Sequence, residues 1–261
     1  MADGRMQASA EGAIYPSLAG KRVIVSGGGS GIGAGFVEAF ARQGCKVAFV
    51  DVQDDASEAL CERLGYAPHC PVYRQCDVTD AATYAHCLTE LTTTLGGCDV
   101  LLNNAARDDR HDLADVTPAY WDDMIAVNLK HQFFAAQAVA PSMREAGGGS
   151  IVNLGSISWH LGLERLAIYQ TAKAAIEGLT RSLARELGRD NIRVNTIVPG
   201  NVQTPRQMEW YTPEGEAQIV AAQCLDGRIQ PADIAAMALF LASDDARFCT
   251  AHNYWVDAGW R

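Results

Sequence analysis

No apolar run in this 261-residue chain is long enough to span a bilayer, and charges interrupt its longest hydrophobic stretches within a turn or two of helix. Residues 1–17 lack the apolar run of a signal peptide. They predict a loose tail ahead of one domain over 18–261, in a chain that stays cytoplasmic and binds no membrane. The eight cysteines contain no Cys-x-x-Cys pair, and the six histidines show no metal-ligand spacing with them. That pattern excludes a zinc ribbon, calls for no metal, and predicts buried free thiols rather than a disulfide scaffold. Basic residues are in deficit: 21 Lys and Arg face 31 Asp and Glu, a formal net charge of -10 that argues against a nucleic-acid surface. A small neutral substrate is compatible with that acidity. No linker, repeat or low-complexity tract divides the chain.

What is present is alternation. Apolar, β-rich stretches at 22–26, 46–51, 72–76, 99–103, 150–154, 193–198 and 254–257 alternate with amphipathic ones at 32–43, 80–95, 118–144, 167–187 and 231–242. Strands alternating with helices predict an α/β fold of one domain: a Rossmann-type doubly wound parallel sheet in three layers, α/β/α. The strands are continuously apolar, as strands buried on both faces should be. Loops 104–117 and 200–227 each follow a strand, so both should rise from the carboxyl edge where such sheets bind ligands. The second is the expected substrate loop.

Directly after the first strand comes Ser26-Gly27-Gly28-Gly29-Ser30-Gly31-Ile32-Gly33, which opens into a helix. Glycines there let a pyrophosphate approach the backbone at the positive end of the helix, which nominates Gly27, Gly29, Ser30, Gly31, Ile32 and Gly33. The spacing, Gly27-x-x-x-Gly31-x-Gly33, is not the common G-x-G-x-x-G, so its place between strand and helix carries the argument. Asp51 ends the second strand, about 20 residues on, where an acid can hold a ribose 2′-hydroxyl and repel a 2′-phosphate. No arginine lies in the glycine turn or just beyond Asp51. NAD is therefore the expected cofactor, with NADP bound more weakly.

Tyr169 and Lys173 are four apart in a helical stretch and share one face. A free phenol titrates near pH 10, too high for a base at neutral pH; a neighbouring ammonium should bring it down. Ser156 follows the fifth strand, at the carboxyl edge, where its hydroxyl could bond a substrate oxygen beside the phenol. Ser158 competes for that role.

With these residues in place, nearly the whole chain resembles the short-chain dehydrogenase/reductase family. The family's turn matches Gly27, Gly31 and Gly33, with Ser26 where threonine is usual. Its adenine-framing pair matches Asp77-Val78, and its Asn-Asn-Ala-Gly stretch appears as Asn103-Asn104-Ala105-Ala106. Ser156, Tyr169 and Lys173 keep the family's relative spacing. The resemblance implies further cofactor contacts from Asp77, Val78, Asn104, Ala105, Tyr169, Lys173, Pro199, Gly200, Val202 and Thr204. It makes Asn128 the fourth catalytic member, expected to hold a proton-relaying water, and it implies a homotetramer built on helices 118–144 and 167–187. Stretches 13–23, 108–117, 155–164, 206–229 and 254–261 further resemble the family's bacterial NAD-dependent pentose 1-dehydrogenases, which take D-xylose or L-arabinose. That implies a sugar substrate oxidised at C1. The expected sugar contacts are Ser156, Ser158, Trp159, His160, Tyr169, Asn201 and Trp210, with Asn104, Asp108 and Arg110 as further rim candidates. Trp159 or Trp210 would stack on the ring. The competing reading is a carbonyl reductase for another alcohol/ketone pair, against which Asp51 speaks, because such reductases usually prefer NADPH.

Overall fold

The computed structural model describes residues 12–209 and 211–260. Seven strands form one parallel sheet: β1 (Arg22–Ser26), β2 (Lys46–Asp51), β3 (Val72–Gln75), β4 (Val100–Asn103), β5 (Gly149–Leu154), β6 (Ile192–Pro199) and β7 (Asn253–Val256), in spatial order β3-β2-β1-β4-β5-β6-β7. Side chains on a strand point alternately to opposite faces. Val23, Val25, Val47, Phe49, Val100 and Leu102 accordingly enter one core, while Ile24, Ala48, Val50 and Leu101 enter the other. This explains why the strands read as unbroken apolar runs. The first core is closed by α1 (Gly31–Arg42), α2 (Asp54–Arg63) and α10 (Pro231–Ala242), the second by α3 (Ala81–Leu95), α5 (His131–Glu145) and α7 (Ala167–Leu187). No helix among the described residues is long and apolar enough to cross a membrane.

The strand order reverses between β1 and β4, and the crevice at such a reversal is where open α/β sheets bind ligands. The glycine turn leaves β1 and Asn104 leaves β4, so both meet at that crevice.

Two expectations need correction. Residues 118–144 do not form one regular helix: α4 (Pro118–Ile125) passes through a π turn (Ala126–Lys130) into α5. The turn carries Asn128, whose side-chain carbonyl accepts from Arg107 N at 2.9 Å while its amide donates to the carbonyls of Arg107 (3.0 Å) and Met124 (2.9 Å). A side chain binding the neighbouring loop's main chain is the kind of insertion that accompanies a π turn. The loose stretch expected over 1–17 is tied down from Ala13 onward; residues 1–11 lie outside the described residues. Gln43 donates to Ala13 O (2.8 Å) and accepts from Tyr15 N (2.9 Å), Ser17 Oγ accepts from Asp244 N (3.1 Å), and Leu18 is fully buried.

Candidate active site

Two adjoining cavities open at the carboxyl edge. The larger, about 560 Å³, is lined by Gly27, Ser30, Gly31, Asp51, Asp77, Val78 and Ala105. The smaller, about 200 Å³, is lined by Ser156, Ser158, Lys173, Pro199, Gly200, Asn201 and Val202. Tyr169, Ile32, Asn104, Asp108 and Thr204 line both.

The floor of the larger cavity depends on glycine. Gly27 and Gly31 have φ of 65° and 54°, a region that costs other residues strain. Ser26 Oγ accepts the backbone N–H groups of Asn104 (3.0 Å) and Ala105 (3.1 Å), and Asn104 Nδ2 donates to the carbonyls of Ser26 (3.0 Å) and Gly27 (2.8 Å). The two loops thus lock each other, and serine serves where threonine is usual. Gly29 and Gly33 do not line the cavity. Gly29 N donates to Asp51 Oδ2 at 2.8 Å, and a Cβ on Gly29 would lie 2.4 Å from Ser57 Oγ. Asp51 Oδ1 accepts from Val52 N (2.8 Å) and Gln53 N (3.0 Å), which aims the carboxylate across the turn. A helix N-terminus behind a glycine turn, with a carboxylate at the far end, suits a dinucleotide: pyrophosphate at Ser30–Ile32 and a ribose hydroxyl at Asp51. Asp77 holds its own turn by accepting from Thr79 N at 2.9 Å.

The smaller cavity holds the candidate chemistry. Apolar positions on α7 repeat as Ile168, Ala172, Ile176, Leu183 and Leu187, and Lys173 lies on that buried stripe. Its ammonium donates to Leu154 O at 2.8 Å and lies 5.5 Å from the centroid of the Tyr169 ring. Ser156 Oγ donates to Ser158 Oγ (2.9 Å) and accepts from Ser158 N (3.1 Å), so the competing serine orients its neighbour. Tyr169 shares this cavity's wall with Ser156. Pro199, Gly200 and Val202, expected at the cofactor, line the smaller cavity instead.

Protonation departs from the sequence expectation. Burial, then the negative charge of Asp108, pushes the Tyr169 phenol up, and the nearby Ser156 hydroxyl only partly offsets this. Burial pulls Lys173 down to about 7, opposed by Asp108. The lysine has moved further from its ordinary state than the tyrosine has been helped, because an ammonium with one carbonyl partner is poorly solvated. The sign for stability follows. Between about pH 7 and 10.5 the unfolded chain holds a proton that folded Lys173 has released, so this group's contribution to stability rises with pH across that window. Burial raises the Cys45 and Cys98 thiols from 9.0 and the Tyr84 and Tyr169 phenols from 10.0, and these act oppositely from about pH 9 upward, so the rise due to Lys173 is cleanest between about pH 7 and 9. Lys173→Met should therefore remove the rise and stabilise the protein near pH 7 by roughly 1–3 kcal/mol while abolishing activity. Urea unfolding at neutral and alkaline pH reads this out; a variant less stable than the native protein at neutral pH would contradict it.

Three expected contacts are not brought together. Asn128 is fully buried, lines neither cavity and spends its amide on the main chain of Arg107 and Met124, so its side chain is not at hand to hold a relay water. Trp159 and His160, on the short α6 (Ser158–Leu161), turn away: Trp159 Nε1 donates to Glu177 Oε1 (3.1 Å), His160 Nε2 contacts the same oxygen (3.0 Å), and the His160 ring packs 4.3 Å from Trp255. Trp210 lies outside the described residues. Sequence reasoning missed Gln207, Tyr211 and Trp260, all on the wall of the smaller cavity. Asn201 Nδ2 donates to Tyr211 Oη (2.6 Å), Tyr211 Oη to Gln207 Oε1 (2.6 Å), and Gln207 Nε2 to Asp108 Oδ2 (3.1 Å). Arg206, from α8 (Pro205–Met208), adds ion pairs to Asp108 (3.2 Å) and Asp109 (2.9 Å). The two rim loops are thereby clasped over the site. Arg110 Nη1 reaches Glu164 O at 3.3 Å.

Known proteins resemble this chain in sequence and fold. A family model described as Enoyl-(Acyl carrier protein) reductase matches residues 27–261. A D-xylose 1-dehydrogenase from Caulobacter vibrioides is 62% identical over 249 residues, spanning 95% of this chain and 99% of its own. A Rhizobium meliloti protein named "Probable galactose dehydrogenase" is 48% identical over 250 residues, spanning 94% and 96%. Among solved structures, a 7 alpha-hydroxysteroid dehydrogenase complexed with NADH and 7-oxo glycochenodeoxycholic acid has a TM-score of 0.90 at 30% identity, over 94% of this chain and 96% of its own.

Proposed function

Because the chain belongs to the short-chain dehydrogenase/reductase family, we propose that it oxidises an aldopentose, D-xylose or L-arabinose, at C1 to the aldonolactone with NAD as cofactor. The observation that carries the chemistry is Tyr169: it lines both cavities, with Ser156 on the wall of the smaller one and Lys173 behind its ring. A hydroxyl held by Ser156 in the smaller cavity has its oxygen at the phenol and its carbon facing the larger cavity.

In this mechanism Ser156, oriented by Ser158, positions the C1 hydroxyl, and the Tyr169 oxygen takes its proton as the carbonyl forms. Lys173 stands behind the ring, where its protonated form, populated up to about pH 7, favours the phenolate. Bound NAD supplies the hydride acceptor and a positive ring charge that helps bring the phenol into working range. Gly27, Ser30, Gly31 and Ile32 would hold its pyrophosphate, Asp51 the adenine ribose, and Asp77-Val78 the adenine. Asn128 acts here as a positioning residue for the Arg107 loop.

NAD is preferred to NADP in this reading because the Asp51 carboxylate is 7% exposed and already aimed by three backbone donors, so it cannot swing clear of a 2′-phosphate cheaply. Asp51→Ala should weaken NAD more than NADP, read as the ratio of the two kcat/KM values; an unchanged ratio would remove the ribose contact. A cytoplasmic homotetramer belongs to the same proposal, with Trp121 and Phe133, each 42% exposed, on its interface helices. Light scattering would check it.

The test of function is reduced-nicotinamide formation from a panel of aldoses and simple alcohols, with NAD and NADP in parallel. Reduction of NAD by D-xylose or L-arabinose, faster than by hexoses, is the expected result. Silence on every sugar, with activity on ketones and NADPH, would replace the reading by a carbonyl reductase.

A further inference from the structure

A sugar ring offers a pocket two things to recognise: a patch of C–H groups and a set of directional hydroxyls. Aromatic faces serve the first and charged acceptors the second. Trp159, the aromatic nearest Ser156 in sequence, is committed to Glu177. Among the described residues, Trp260 is the indole on the wall of the smaller cavity, and it does not line the larger one.

The turn that presents Trp260 is held in several ways. Trp260 N donates to Asp257 O (3.1 Å) and Gly259 N to Asp257 Oδ1 (3.0 Å). Ala258 O accepts from Cys224 N (2.8 Å) and Leu225 N (3.3 Å), and Cys224 Sγ reaches Gly259 O at 3.4 Å. These bonds fasten the turn to the end of the substrate loop, just past α9 (Pro213–Ala222). Ala258 and Gly259 have φ of 53° and 80°. A left-handed alanine persists only where its surroundings over-determine it, so the turn is held firmly in place. Asp108 supplies the other half. It lines both cavities, so it lies at the junction where the reacting carbon must be, and Gln207 and Arg206 hold its two oxygens.

We propose that Trp260 is the face on which the aldose ring stacks and that Asp108 accepts the hydroxyl on the carbon next to C1. The proposal rests on the aldose reading above. A stacked ring would bury the indole with the substrate, while the carboxylate would reject a sugar lacking the neighbouring hydroxyl.

Three measurements test it, with D-xylose as the probe. Trp260→Ala should raise the KM for D-xylose about tenfold or more, a ratio expected for loss of an aromatic anchor, with the KM for NAD unchanged. Trp260→Phe should recover most of that loss but abolish the change in intrinsic fluorescence that D-xylose produces in the native protein. Asp108→Asn should lose most of the native enzyme's preference for D-xylose over its 2-deoxy analogue. Unchanged sugar KM in a folded Trp260→Ala protein would overturn the stacking role, as would an undiminished fluorescence response in Trp260→Phe. Should Trp260→Ala not fold, the phenylalanine variant decides. Native discrimination retained in Asp108→Asn would overturn the acceptor role. A native enzyme that oxidises no aldose would overturn the reading beneath, a failure distinct from active enzyme with indifferent variants.

Discussion

Replacing Tyr169 by phenylalanine is expected to lower kcat by roughly 10²–10⁴-fold, the range for loss of a positioned acid/base group, while NAD binding survives. The ring stays, so α7 keeps its packing and the wall between the cavities keeps its shape; only the oxygen that meets the substrate proton is removed. Tyr169 is only part-buried, opening onto both cavities, and Ser156 keeps Ser158 as a partner when the hydroxyl is lost. Fluorescence titration with NAD beside steady-state rates separates binding from chemistry. A variant that turns over normally would take Tyr169 out of the mechanism.

The second large effect is expected at Gly33, where no side chain touches the cavity. A Cβ there would lie 1.8 Å from Gly27 O and 2.7 Å from Asn104 Nδ2. The first obstacle is main chain, in the turn that also fixes Asn104, so relief requires opening the turn itself. Ordinary overpacking costs about 1–3 kcal/mol, and Gly33→Ala should reach or exceed the top of that range. NAD affinity should fall by about 100-fold or more as the pyrophosphate cradle distorts, about 2.7 kcal/mol of binding. Gly178 is the control: it is exposed on α7 with nothing within 4 Å of an added Cβ. Gly178→Ala should stabilise by about 0.5–1 kcal/mol and leave NAD affinity alone. Thermal unfolding of the pair, with and without NAD, distinguishes a steric site from a general intolerance of glycine replacement. Equal tolerance at both positions would contradict the packing argument.

How much of this was legible beforehand depends on whether the signal was local. The bounds of β1, β2, α7 and α10 follow from apolar runs and helical period, which residues near in sequence set by themselves. The glycine turn, Asp51, Tyr169 and Lys173 were legible for the same reason: a strand, a turn and one helix face place them. Trp159 and His160 were misread because closeness to Ser156 along the chain does not say which way α6 faces. Glu177 on α7 and Trp255 on β7 decide that, and both arrive from far along the sequence. Asn128 was expected, from the family resemblance, to hold a relay water, yet its amide serves Arg107 through a π turn that periodicity does not signal.

The sequence by itself determined the sheet, the layers, the dinucleotide turn and the Tyr169–Lys173 pair, because each depends on hydrophobic period, glycine's conformational freedom or one helix's spacing. Only the tertiary structure decided which polar groups face the smaller cavity and how they are charged. Trp260 reaches that cavity through bonds to Cys224 and Leu225, and Asp108 is held by Gln207 and Arg206 from another loop. The proton affinities of Lys173 and Tyr169 are likewise set by burial, which belongs to the packed chain and to no residue alone.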